Sequence, residues 1–595
     1  MHLRLGPGPV FVYEWLTTTR RWQLYALRSL FVWMILLGMA VIWQNELRRH
    51  GQRQTASFQE LASYGESFYK TMVVIELTLV LLVAPAATAG AVCLDKARGT
   101  LDHMLATDLS NAEIVLGKLG VRLVPVLGLI ACALPVSALA GLLGGIDPVA
   151  LAGSFLAAIG CAVLGCSLAL TLSVWGRKTH EVLMMAYLLM ILWISAPVLL
   201  ELATFSLGSR PNPSMSIPEL WALVECSNPY YLAFAPYSNP GKVGGTTYLG
   251  FLGSCLFLSG LLAGLATLRI RGVAMSQAGR PAGGPRSRLG RLVPRLLRPA
   301  WLPHLPGPSL DGNPVLWREW HRLRPSWMMR AAWLLYSGFG VTWIALTLQL
   351  EISGRREAGM IAAMNVFQVV VGLLLLSVGA ATSLAEERAR GSLDVLLTTP
   401  LSTRSILTGK WWGAFRQVRY ILVWPALTSG LLVAGTGRVI AYIGLLALIS
   451  AYGAAITSLG LAMATWVGRL GRAVALTVAA YVGFSIGWVI LIFILALPGR
   501  ASDHFIVPSV MGSPLYGTAF ASMVLGAETR FMPGAEPDVW LGTFFWISMH
   551  VGIAAALFTA TVATFDRCLG RVSETSGVPI SVAKKEPVAE LEPDY

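Results

Sequence analysis

Uncharged runs long enough to cross a lipid bilayer recur from one end of this chain to the other. WLLYSGFGVTWIALTLQL, Trp333 to Leu350, is one of them, and a spanning helix takes about 20 mostly apolar residues. Hydrocarbon offers no partner to an open backbone group, so such runs must be helical. The chain is 595 residues long, 55% hydrophobic and 13% charged, against about 25% charged in soluble domains. This excludes a soluble enzyme, a disordered chain and a nucleic-acid-binding domain. The expected fold is an all-α polytopic membrane protein. Twelve spans are predicted near 24–43, 71–90, 120–144, 149–174, 182–202 and 248–267, then 329–349, 360–384, 418–435, 439–466, 473–497 and 540–564. The first run ends in WQNELRR rather than at small residues, so it reads as a span and not as a cleaved leader.

Orientation follows from Lys and Arg. With the N-terminus inside, inner segments hold 34 of the 45 Lys and Arg and outer segments 11. The largest basic block, Arg269 to Arg330, is rich in Pro, Gly and Arg and would lie along the anionic cytoplasmic leaflet. The net charge of +14 is thereby accounted for by lipid, and no nucleic acid is expected as a partner. The expected location is the plasma (inner) membrane, with both termini cytoplasmic.

The chain is also an internal duplication. ARGTLDHMLATDLSNAEIVLGK (97–118) and ARGSLDVLLTTPLSTRSILTGK (389–410) agree at twelve of 22 positions. PVFVYEW from Pro9 matches PVLWREW from Pro314, and Pro229-Tyr230-Tyr231 matches Pro514-Leu515-Tyr516. The matches keep their order, and each half has six spans. The two halves are therefore a 6+6 parallel repeat about an axis along the membrane normal. The chain divides into 1–268 (first half), 269–312 (basic linker), 313–568 (second half) and 569–595 (polar tail).

The repeated loop joins the second and third span of each half on the inner side and reads as helix, turn, helix. Leu101 and Leu105, like Leu393 and Leu397, are four apart and share a face. After the break, Ser110 with Glu113 makes a capping box, and Leu109 with Ile114 a hydrophobic staple. Leu401, Ser402 and Ile406 repeat the pattern after Pro400. Such a capped helix under the membrane suits docking of a soluble partner, and Asp102 and Asp394 read as cap or salt-bridge residues. The opening segments, with Glu14-Trp15 and Glu319-Trp320, read as amphipathic helices lying in the interface, with Pro in the first turn.

At these residues the chain resembles the permease subunits of type-2 ABC transporters, the ABC-2 family. Glu386-Glu387, Gly391-Ser392-Leu393-Asp394, Leu396-Leu397, Thr399-Pro400-Leu401-Ser402 and Gly409-Lys410 follow the family pattern. The first copy departs from it, with Leu94-Asp95 for the acidic pair and Asp108 for the proline. The resemblance implies that the two halves form a translocation path and that the loops contact separate ATPase subunits, two of them. The implied coupling residues are Asp95, Arg98, Gly99, Leu101, Asp102, Leu105, Leu109 and Ser110, and in the second loop Glu386, Glu387, Arg390, Gly391, Leu393, Asp394, Leu397, Pro400, Leu401 and Ser402. The second loop, which keeps the acidic pair, is expected to dominate docking.

No GxxxxGK[ST] cradle occurs, so no cofactor is expected in this chain. ATP and Mg would belong to the partner subunits. No catalytic constellation and no metal-ligand spacing is found. Glu76 is the one acid placed inside a span, one to two turns from the outer edge and within reach of water. With its repeat partner Gln368 it is a candidate for the translocation path. Two other readings stay open at this point. One is a secondary transporter of the major facilitator type, which carries an acid–base pair between spans two and three, comparable to Asp95-Lys96 and Glu387-Arg388. The other is a scaffold subunit that moves nothing.

Overall fold

A computed structural model describes residues 8–19, 22–49, 58–141, 144–176, 178–206, 217–278, 308–322, 327–352, 358–389, 391–489, 491–492, 503–525 and 536–570. Most of the central linker, Arg390 and the polar tail from 571 on lie outside the described residues. Among those described, every regular element is a helix. Eleven helices are long and apolar enough to cross a membrane, and a shorter apolar stretch, Arg28–Ala40, supplies a twelfth candidate. This agrees with about twelve spans and an all-α fold.

The first half comprises α1 (Pro9–Thr19), α2 (Trp22–Arg49), α3 (Phe58–Thr88), α4 (Cys93–Arg98), α5 (Thr100–Leu105), α6 (Asn111–Ala131), α7 (Leu134–Gly141), α8 (Pro148–Trp175), α9 (Thr179–Ser206), α10 (Ile217–Cys226), α11 (Pro229–Ser238) and α12 (Gly245–Ala278). The second repeats the order as α13 (Pro314–Arg322), α14 (Trp327–Ile352), α15 (Ala358–Ala389), α16 (Ser392–Leu397), α17 (Thr403–Phe415), α18 (Val418–Thr436), α19 (Val439–Trp466), α20 (Leu470–Val482), a π-helical turn (Gly483–Gly487), α21 (Asp503–Val510), α22 (Pro514–Leu525) and α23 (Glu536–Leu569).

Packing repeats with the sequence. α8 lies between α3 and α12, and α19 lies between α15 and α23. Both central helices are apolar on all sides, as helices buried among others must be. The segments before the last span of each half are short helices rather than loose loops. Asn228 caps α11 through its side chain, and Leu232, Ala233 and Ala235 are buried. The halves are joined by α9, whose Val182–Leu188 stretch contributes to the same apolar core as α14, α15 and α19.

One boundary differs from expectation in a way that matters. The second span was expected to begin near 71, where the polar residues end. The helix begins at Phe58. Glu66 and Lys70, one turn apart, pair at 2.6 Å, and the Tyr69 hydroxyl donates to Ala150 O (3.1 Å) and Ala233 O (3.0 Å). Protein contacts at α8 and α11 thus replace the water that the polar stretch would otherwise need. Glu76 sits 18 residues into α3, about 27 Å of helix at ~1.5 Å per residue. It is 1% exposed. The expectation that it is within reach of water is therefore corrected.

Candidate functional site

Each half builds the same unit where its repeated loop meets its opening helix. α1 lies against α6, and α13 against α17. The contact depends on Gly117 and Gly409. A Cβ on Gly409 would stand 2.9 Å from the Leu316 amide nitrogen and 2.9 Å from Val315 Cβ. One on Gly117 would stand 3.3 Å from Phe11 N and 3.4 Å from Val10 Cβ. Hydrogen in place of a side chain lets the first turn of the opening helix rest on the third span. Asn313 starts that turn by accepting from Leu316 N (3.0 Å) and donating to Ser405 O (2.9 Å).

The lysine after each glycine locks the contact. Lys118 is 1% exposed and its ammonium pairs with Glu14 at 2.7 Å and with Asp95. Lys410 is 2% exposed and pairs with Glu319 at 2.5 Å and Glu387 at 2.8 Å. A buried ammonium is costly unless paired and hydrogen-bonded, and here two carboxylates from two different helices meet it. An arginine offsets the second negative charge in each unit: Arg122 on Glu14 (3.3 Å) and Arg318 on Glu387 (3.2 Å). The opening helix, the end of the second span and the start of the third are thus tied at one point. The adjoining tryptophans are held as well. Trp15 stacks on Phe11 with centroids 6.0 Å apart, and Trp320 packs under the Arg416 and Arg419 guanidiniums.

The acid–base pairs at Asp95-Lys96 and Glu387-Arg388 divide their labour the same way in both copies. The acid turns to the buried lysine. The base caps the last turn of the central helix, Lys96 to Val174 O and Gly176 O (2.7 Å each) and Arg388 to Thr465 O (3.2 Å). Cations suit the carbonyl end of a helix.

Beyond this joint the loop projects. Gly99 and Gly391 take left-handed conformations, φ 73° and 72°, which a residue with a Cβ adopts only with strain. The chain there turns from α4 into α5 and from α15 into α16. Leu101 and Leu393 are buried, Leu105 and Leu397 half-buried. Ser110 forms the full capping box with Glu113, and Ser402 accepts from Ser405 N alone. Ile114 and Ile406 are buried with Leu109 and Leu401 packed on the same clusters. Each loop also leans on the last span of its half, through Arg271 to Leu105 O (2.9 Å) and Thr403 to Asp566 (2.7 Å). Arg98, Asp102, Asp394 and Pro400 face outward. Asp102 and Asp394 make neither cap nor ion pair among the described residues, so that part of the expectation is not met.

The two members of the acidic pair are engaged within the chain. Glu387 belongs to the lysine joint. Glu386 faces Lys178 (3.6 Å) and His180 (3.4 Å) of the first half. Both carboxylates are 15% exposed. By repeat position Glu386 corresponds to Leu94, and Lys178 to Leu470. Those two leucines belong to one apolar cluster.

Gln368 and Glu76 share a repeat position and differ in surroundings. The Gln368 amide donates to Tyr336 O (3.3 Å), and the Tyr336 hydroxyl donates to Gln368 O (3.1 Å), stitching α14 to α15. Nearby, Asn365 accepts from Thr428 (2.6 Å) and donates to Ser429 and Ser522. Both oxygens of Glu76 are without a partner.

The sequence alone assigns no role to Lys118 and Lys410, although their Gly-Lys pair is repeated, and does not single out Lys178 or His180. A signal for the two lysines was present, since Gly-Lys and Glu-Trp are both kept in the two copies. Lys178 stands opposite Leu470 in the repeat, which could not have marked it, and His180 stands opposite Arg472.

With this geometry in place, comparison with known proteins supplies the class. Residues 303–511 match the family model described as ABC-2 family transporter protein. In the second half the chain is thus similar to an ABC-2 family transporter protein, and the multiple long apolar helices are those of an integral membrane protein. Among curated proteins no match was found.

Proposed function

We propose that this chain is the complete membrane permease of an ABC transporter. Its two halves, 1–268 and 313–568, enclose the translocation path, and two separate ATPase subunits drive it. The observation that supports this most is the duplicated unit, a projecting capped loop tied by a buried lysine to the opening helix and to two spans. A push on the loop has a stiff route into the second and third spans of its half. Two units in one chain offer two seats. ATP and Mg belong to the ATPase subunits. The 34-to-11 split of Lys and Arg supports cytoplasmic termini, linker and loops in the plasma (inner) membrane.

The outward residues Asp102, Asp394, Pro400 and the 70% exposed Val395 are the docking surface, with the buried leucines behind them as support. The match of residues 303–511 to an ABC-2 family transporter protein supports this reading over the facilitator one. Native mass of the purified complex should give one permease to two ATPase chains; a two-to-two assembly would overturn the stoichiometry. Losing a buried interfacial charge costs about 2–5 kcal/mol, so Asp102→Arg with Asp394→Arg should abolish co-purification. Unchanged co-purification and ATPase stimulation would remove the docking assignment. A labelled cysteine at Ser287 that reacts with an impermeant reagent in intact cells would invert the topology.

A further inference from the structure

The repeat allows the same intramembrane position to be compared in two surroundings. In the second half Gln368 is neutral and bound to α14, and the facing Tyr336 supplies a hydroxyl. In the first half the residue at the Tyr336 position is Phe31, buried and without a hydroxyl, and the residue at the Asn365 position is Val73. The neighbours of Glu76 one turn away on α3 are Met72, Val73, Leu79 and Val80, all in the apolar core of that half. The Tyr336 hydroxyl and the Asn365 amide have thus been replaced by hydrocarbon, and at the Gln368 position an amide has become a carboxylic acid. Arg28, one turn from Phe31 on α2, lays its guanidinium against Gly128 on α6, and no bond from it reaches Glu76.

A buried carboxylate with no donor is a liability to stability, and intramembrane acids mark transport pathways by default. A single carboxylate is not a site for an inorganic cation such as Ca2+, which takes six to eight oxygens. It suits a single positive centre carried on an apolar body, whose hydrocarbon replaces the lining and whose charge meets the carboxylate. We propose that Glu76 receives the cationic centre of the transported molecule, and that the cargo class is lipophilic organic cations. This rests on the permease reading. In the conformation described the position is closed, so the cation enters when the spans of the first half part.

The test uses the full-length chain in lipid nanodiscs with tetraphenylphosphonium as cation and tetraphenylborate as its anionic counterpart, by equilibrium dialysis. Saturable binding of the cation alone is expected, weakened at least tenfold in Glu76→Gln and retained in Glu76→Asp. Glutamine copies the neutral acid in size and the residue already present at 368. Wild-type affinity in Glu76→Gln therefore overturns the proposal and leaves a neutral space-filling acid. Glu76→Met serves as a second neutral variant should the first fold poorly. Arg28→Gln should bind as wild type; equal loss would mean that the carboxylate's partner is internal, and would also overturn the proposal. No saturable binding to the wild type does the same. Co-purification of an ATPase is read separately: its absence defeats the permease reading, and its presence with no cation binding defeats only the assignment of Glu76.

Discussion

The two halves of this protein agree at the loop end and disagree within the membrane and across their interface. At the loop end, Lys118 with Glu14 and Asp95 and Lys410 with Glu319 and Glu387 are the same device built twice. A few helical turns away, Gln368 is stitched to its neighbour while Glu76 is bare. The contrast teaches that the two copies keep one joint where the loop meets the opening helix and have diverged where α3 and α15 run through the membrane-spanning core.

The equivalence of the two joints can be broken directly. Lys118→Ala and Lys410→Ala each leave two carboxylates facing one another at a desolvated spot. Breaking a buried pair costs about 3–5 kcal/mol, so each variant should lose most of its folded yield or unfold at a clearly lower temperature in detergent. Similar losses are expected for both; a tolerated Lys118→Ala with a lethal Lys410→Ala would show that only the second joint matters.

The glycines sharpen the comparison, because the second contact is tighter. Gly409→Ala forces a methyl to 2.9 Å from a backbone nitrogen and should cost about 1–3 kcal/mol. Gly117→Ala meets its neighbours at 3.3 Å or more and should cost less than Gly409→Ala. Thermal melts of the two single variants settle the order, and the reverse order would contradict the geometry.

Helix caps come next in size. Ser110→Ala removes the reciprocal box with Glu113, and Ser402→Ala a single bond. A lost cap costs about 1 kcal/mol, with the larger share at Ser110. Hydrogen exchange of the first turns of α6 and α17 would register it, and equal protection in both variants would count against the difference.

The smallest effect is expected at the interface of the halves. Lys178 is 35% exposed, and an exposed pair contributes about 0.2–1 kcal/mol. A double-mutant cycle on Glu386 and Lys178 should return a coupling of that size. Replacing both by leucine, as at Leu94 and Leu470, should leave stability nearly unchanged. A coupling near the value expected for the lysine joints would mean that this ion pair holds the halves together in its own right.

Much of the fold was legible because its signals are local. Span number and helical state follow from apolar run length, since lipid leaves the backbone one choice. The capping box at Ser110, the turn at Gly99 and Gly391, and the Pro-led opening helices were each written within a few residues. The duplication was visible because it preserves order. The joints were not legible as joints. Glu14 and Lys118 are 104 residues apart, and only packing of α1 on α6 makes them neighbours. The same holds for Glu386, whose sequence neighbours suggest an exposed acidic pair and whose charge is met from the other half.

Span boundaries showed where one-dimensional reading fails. α3 continues for thirteen residues before the expected start of its span because α8 and α11 accept Tyr69, which hydropathy cannot register. The sequence by itself determined that this chain crosses a membrane as paired sets of helices, because desolvated backbone and repeated residues leave no other reading. Tertiary structure alone decided which charges are joined and which is left alone. Ion pairing and burial depend on distances between helices, and those are set by packing contacts far apart in the chain.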